Sequence, residues 1–125
     1  MQIDRRSMIK GSIAAGGAVL VPASLAAAES VPALFVYDER FSPSRARAAY
    51  WSERGVAVID SRREDLGVAW RGRIPALISE NRRVEGLTLW SDRFICETFG
   101  DEHGLRIEIE AARHDPPALQ AWKLA

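Results

Sequence analysis

Cysteine is almost missing from this 125-residue chain, Cys96 being the only one. An intramolecular disulfide is therefore impossible, and a dithiol redox pair is excluded with it. Histidine is scarce too: His103 and His114 are the two copies, and their spacing joins neither to Cys96 as a nucleophile–base pair. After Glu29 no apolar run is long enough to cross a bilayer as a helix. Neither sign of charge dominates, since 17 Lys and Arg meet 17 Asp and Glu. With no basic face to follow phosphates, nucleic acid is not an expected partner. Internal repeats and low-complexity tracts are also lacking, so stability must come from packing one small core.

What is present begins with a leader. Asp4-Arg5-Arg6-Ser7-Met8-Ile9-Lys10 precedes a weakly apolar stretch, Gly11–Ala28, that Gly11, Gly16 and Gly17 dilute and Pro22 interrupts. A charged head, an apolar middle and a small-residue end make the layout of a removable export signal. Arg5 and Arg6, followed by Ser7, Met8, Ile9 and Lys10, resemble the twin-arginine (Tat) signal, with Asp4 where Ser or Thr is usual. Ala26-Ala27-Ala28 supplies the small residues a signal peptidase needs. The expectation is a signal over residues 1–28, cleaved after Ala28, with an uncleaved anchor as the alternative. The resemblance implies the Tat translocase as a transient partner, export in the folded state, a periplasmic location, and membrane contact only through the signal. No motif calls for a cofactor, and none is expected.

Residues 29–125 read as one α/β domain with a short tail from about residue 111. Ala33-Leu34-Phe35-Val36-Tyr37 is a continuous apolar run, as in a strand covered on both faces. Ser42-Pro43 starts a helix with Ser at the cap and Pro in the first turn. Ala46, Ala49, Tyr50 and Glu53 share one face of it, widened by Ala48 and Trp51, and Gly55 stops it. Val56–Ile59 is a second buried strand, so strand, helix and strand form a right-handed βαβ unit. Ser61 and Glu64 have capping-box spacing for a short helix to about Trp70.

Residues 71–85 admit two readings. In the first, Pro75–Ser79 is a helical turn and Arg83-Val84-Glu85 a third parallel strand. In the second, Ala76-Leu77-Ile78 pairs with Arg83–Glu85 as a hairpin. The second arrangement resembles the thioredoxin fold, although Ser42 and Ser44 stand where a Cys-x-x-Cys would lie. The first repeats one unit and is preferred.

Gly86-Leu87-Thr88 leads into a second long helix capped by Thr88, with Leu89, Trp90, Phe94, Ile95, Cys96 and Phe99 forming a broad buried side. Gly104 ends it, and Leu105, Ile107 and Ile109 alternate with charges as on an edge strand. Pro116-Pro117 breaks the chain before Leu119, Trp122 and Leu124, which either pack back or meet a partner. The expected fold is thus a small open, mostly parallel, Rossmann-like sheet flanked by helices. The pattern also resembles a group of short exported bacterial α/β proteins, which adds no function.

Ligands in open parallel sheets bind beyond the carboxyl ends of the strands. That rule gathers Tyr37, Asp38 and Arg40 from the first loop, Asp60 and Arg62 from the second, and Gly86, Thr88 and Trp90 from the third. Free N–H groups at Thr88, with Arg40 or Arg62, would suit a small anionic ligand, and Trp90 an apolar wall. The same residue types are also favoured at strand ends and helix caps for local reasons. Two aspartates without a third ligand do not make a metal site. No catalytic residue is assigned: Cys96 falls on an apolar helix side, and both histidines sit at polar termini. A non-catalytic periplasmic binding or accessory protein is the first expectation. A small enzyme acting on an anionic molecule at the strand ends is the alternative. Trp122 is the expected anchor for a periplasmic partner protein.

Overall fold

The computed structural model describes residues 31–125. The signal expected over residues 1–28, with Arg5 and Arg6, lies outside the described residues. Among those described, no helix is long and apolar enough to cross a membrane.

The elements run β1 (Leu34–Tyr37), α1 (Ser42–Ser52), β2 (Ala57–Asp60), α2 (Leu66–Arg71), α3 (Ile74–Leu77), β3 (Val84–Thr88), α4 (Trp90–Glu102), β4 (Ile107–Ile109) and β5 (Gln120–Leu124). They form a five-stranded sheet in the order β2-β1-β3-β5-β4. β1 pairs parallel with β2 and β3, while β5 pairs antiparallel with both β3 and β4. The sheet is α/β but mixed, a correction to the mostly parallel expectation. The cause is the segment read as a tail: Leu119 and Ala121 feed one core and Trp122 and Leu124 the other, so the segment enters the sheet between β3 and β4 as β5.

Two cores lie on opposite faces. One packs Leu34, Val36, Ile59, Val84, Trp122 and Leu124 of the sheet against Trp70, Ile74, Ile78 and Cys96 of the helices. The other joins Phe35, Leu87 and Ala121 to Ala48 of α1 and Leu119. Trp122 is buried, so the partner anchor expected there is instead core. Its indole lies directly opposite Gly86 across the β3–β5 pair. A Cβ on Gly86 would sit 2.2 Å from Trp122 Cζ2, so this position admits no side chain without displacing the ring.

The parallel unit forms as its sequence requires. Gly55, at φ +84°, ends α1 in the left-handed region, and Val56 N–H returns to Trp51 O at 3.0 Å. Residues 74–77 are helical and β3 lies parallel to β1, so the turn-plus-strand reading holds. The hairpin does not form, and the thioredoxin-like alternative loses its basis.

Several local expectations fail for identifiable reasons. α1 buries Ser44 and Ala48, leaving Tyr50 and Ala49 exposed. An alanine-rich helix discriminates weakly between faces, and the Ser44 hydroxyl finds a partner inside. α2 is capped by Asp65, whose carboxylate accepts from Val68 N–H at 2.9 Å, rather than by Ser61. α4 has no side-chain cap, because Thr88 is the last residue of β3. That helix meets the sheet through Cys96 and Gly100; a Cβ on Gly100 would stand 3.0 Å from Leu124. Small residues bring the helix close and leave Trp90, Phe94 and Ile95 outside.

Candidate functional site

Chain direction determines where a site can form. After β1 the chain departs for α1 on one face, and after β3 it departs for α4 on the other. The carboxyl ends of β1 and β3 therefore flank the point where a crevice normally opens in such sheets. Here a serine fills it. Ser44, on the first turn of α1, accepts a hydrogen bond from Asp38 N–H at 2.9 Å and donates one to Leu87 C=O at 2.6 Å. Ser44 and Asp38 are both buried to 0% exposure. The two strand ends are stitched together by a hydroxyl.

The flanking charges are similarly engaged. Arg40 grips Asp38 with two parallel bonds, Nε to Oδ1 at 3.0 Å and Nη2 to Oδ2 at 2.6 Å, and its N–H adds a third at 3.0 Å. Burial opposes ionisation of Asp38, but Arg40 and the more distant Arg62 outweigh it and hold the carboxyl below its usual range. Asp60 Oδ1 accepts from Arg62 N–H at 3.0 Å and from Glu39 N–H at 3.3 Å, fixing the turn after β2. Its Oδ2 is 3.7 Å from Arg63 Nε and makes no hydrogen bond. Tyr37 neighbours Asp60 in register. Burial raises its phenol, Asp60 and Glu39 raise it further, and Arg63 opposes them.

The third loop contributes less than expected. Thr88 is buried and accepts from Trp122 Nε1 at 3.0 Å, so its hydroxyl serves the core. Gly86 lies within β3 beneath Trp122. Trp90 is 58% exposed and stacks on Phe94 at 5.5 Å, on the outer side of α4. The structure thus gathers Asp38, Arg40 and Arg62, sets Tyr37 and Asp60 beside them, and removes Gly86, Thr88 and Trp90.

Asp92 is the residue sequence reasoning missed. Burial pushes its carboxyl up and Asp38 adds to that, against the nearby Ser61 hydroxyl, Arg40 and Arg62. Ser61 Oγ is buried and completes no hydrogen bond of ordinary geometry. By position alone Asp92 is a favourable charge in the first turn of its helix. Its place at the strand ends follows once β3 is known to run to Thr88, which puts the helix start just past the sheet.

Cys96 is fully buried, and burial drives its thiol to about 12 despite the Trp70 indole beside it. A thiol so placed supplies no nucleophile near neutral pH. Among the described residues, no group of three or more His, Cys, Asp or Glu side chains is placed to hold a metal ion.

Two shallow grooves lie elsewhere. One of about 440 Å³ runs between α1 and Glu85, with Trp51 and Tyr50 on its wall. Another of about 420 Å³ lies between Phe94 on α4 and Leu105 and Ile107 at the sheet edge. No family model matches the chain, and no curated protein or solved structure matches it either.

Proposed function

We propose that this chain is an exported periplasmic protein that acts by binding, as an accessory or carrier, without turning over a substrate. The closure of the β1–β3 crevice by Ser44 carries this reading. With Asp38 gripped by Arg40, the best-placed carboxylate is committed to structure, and Ser44 bridges the strand ends where a ligand would otherwise enter between them. The Arg5-Arg6 leader supports export through the Tat route. Native mass spectrometry of protein recovered from exporting cells tests the reading. A co-purifying protein or small molecule is expected. Turnover of a screened substrate, lost on Asp38→Ala or Asp60→Ala, would sink it. For export, Arg5→Lys with Arg6→Lys should retain the precursor in the cytoplasm; unchanged secretion of the variant removes the Tat assignment.

One observation favours the second reading, a small enzyme acting on an anionic molecule. Asp92, with its carboxyl raised by burial, lies beside the Ser61 hydroxyl and feels the charge of Arg62. A protonated carboxyl there would serve as general acid while Arg62 drew the anion. On this reading Asp92→Asn abolishes turnover and Asp60→Asn does not; equal effects from both would discard it.

A further inference from the structure

We propose that β4 is a self-pairing edge, and that two copies of this chain join there into one continuous antiparallel sheet with Ile107 at the two-fold axis. β4 is the last strand in the sheet order, so one of its sides has no strand beside it. Which residues face that side follows from the bonds on the other. Arg106 N–H and C=O both bond to Ala125, and Glu110 N–H bonds to Ala121 O. Antiparallel strands alternate their backbone groups from side to side. Positions 106, 108 and 110 therefore turn inward to β5, while Ile107 and Ile109 turn their N–H and C=O groups outward.

Pairing β4 with its own copy must match outward residues with outward residues. Three registers do so, and with Ile109 at the axis Glu108 stands opposite the partner's Glu110, a pair of like charges. With Glu108 at the axis, the two Glu108 carboxylates stand opposite each other, an unfavourable contact. With Ile107 at the axis, Arg106 lies opposite the partner's Glu108, and Leu105 opposite the partner's Ile109. Symmetry produces both pairings twice. Arg106 and Glu108 are exposed and form no ion pair among the described residues. Within the sheet Glu108 lies opposite Lys123 in register, and across this axis it also meets the partner's Arg106.

The apolar surface agrees with this register. Ile109 is 44% exposed and Phe94 52% exposed. Ile107 belongs to the margin of the core face on which α4 packs. The groove between Phe94, Leu105 and Ile107 opens along the same edge, where the second copy would cover it. β4 is short and carries Glu108 between Arg106 and Glu110, features that discourage indiscriminate edge pairing and favour a register that matches these charges.

Sedimentation of the full chain over a concentration series up to roughly 1 mM tests the proposal. The expected mass rises from one chain to two and saturates there. Arg106→Glu alone and Glu108→Arg alone should each hold the mass at one chain, with circular dichroism unchanged. The double variant Arg106→Glu/Glu108→Arg should restore the two-chain species. A wild-type chain that stays monomeric overturns the proposal. So does a dimer indifferent to both single changes, or one restored instead by Arg106→Glu/Glu110→Arg, which would place Glu108 at the axis.

Discussion

The sheet has two halves built on different principles, and they meet at β3. From β2 through β1 to β3 the strands are parallel, and each connection carries its own helices. From β3 through β5 to β4 they are antiparallel, and β5 arrives after a loop that includes a cis Asp115–Pro116 bond. In the parallel half, order comes from local signals repeated along the chain. In the antiparallel half it comes from a single fit between residues far apart in sequence, the Trp122 indole lying over Gly86. A fold can thus be highly legible on one side of a strand and nearly silent on the other.

Gly86→Ala should break the antiparallel half most severely. The new methyl meets the indole with no room to yield, and a loss of about 3 kcal/mol, the upper end for overpacking, is expected in urea unfolding. Adding Trp122→Leu should recover part of that loss, because the two positions share one space. Full additivity would mean the fit is not what joins β5 to β3. Ser44→Ala attacks the parallel half at its closed crevice. It strands Asp38 N–H and Leu87 C=O without their partner, at about 2 kcal/mol in the same experiment. Crystals of that variant with a bound small molecule at the strand ends would reopen the enzyme reading. Asp65→Ala, which removes the α2 cap, should cost about 1 kcal/mol by thermal unfolding and leave β5 untouched.

The smallest effect has the opposite sign. Asp92 binds its proton more tightly folded than unfolded, so ionising it works against the fold. Its contribution is fully present below the unfolded carboxylate value and is lost as pH rises through the folded one. Asp92→Asn should therefore stabilise the chain slightly at neutral pH, with the gain vanishing in acid. Asp38 behaves conversely: its folded carboxyl is held low, so its contribution persists above the unfolded value and fades as pH falls through the folded one. Urea midpoints taken from acid to neutral pH separate the two. A neutral-pH loss on Asp92→Asn would remove the burial argument.

Legibility follows the range of the forces involved. Leu34–Tyr37, Gly55 and Val56–Ile59 act within a few residues, and the βαβ unit could be read from them directly. A strand was expected at Arg83–Glu85, and its continuation through Gly86-Leu87-Thr88 was taken for the lead-in to a helix, since a threonine before a helix fits both roles and only Trp122 decides between them. β5 was mistaken for a tail because its apolar residues, Leu119 and Ala121 on one face and Trp122 and Leu124 on the other, show no simple period and do not announce their partners. The apolar residues of α4 were all assigned inward, whereas close packing through Cys96 and Gly100 leaves Trp90, Phe94 and Ile95 outside. At the site, Asp38, Arg40 and Arg62 were rightly brought together. Ser44 was passed over because nothing near it in sequence reveals that its hydroxyl reaches Leu87.

Synthesis reaches these elements in chain order, and β5 is both the last strand made and an interior strand of the sheet. Until it appears, β3 has one open side, Gly86 faces no indole, and β4 has no strand to lie against. The chain therefore carries its own completion signal. Stable tertiary structure in the antiparallel half waits on residues 120–124, and such long-range pairing slows folding relative to the helix-linked half. A chain without residues 120–124 would keep most of the described elements and lack the strand that joins β3 to β4.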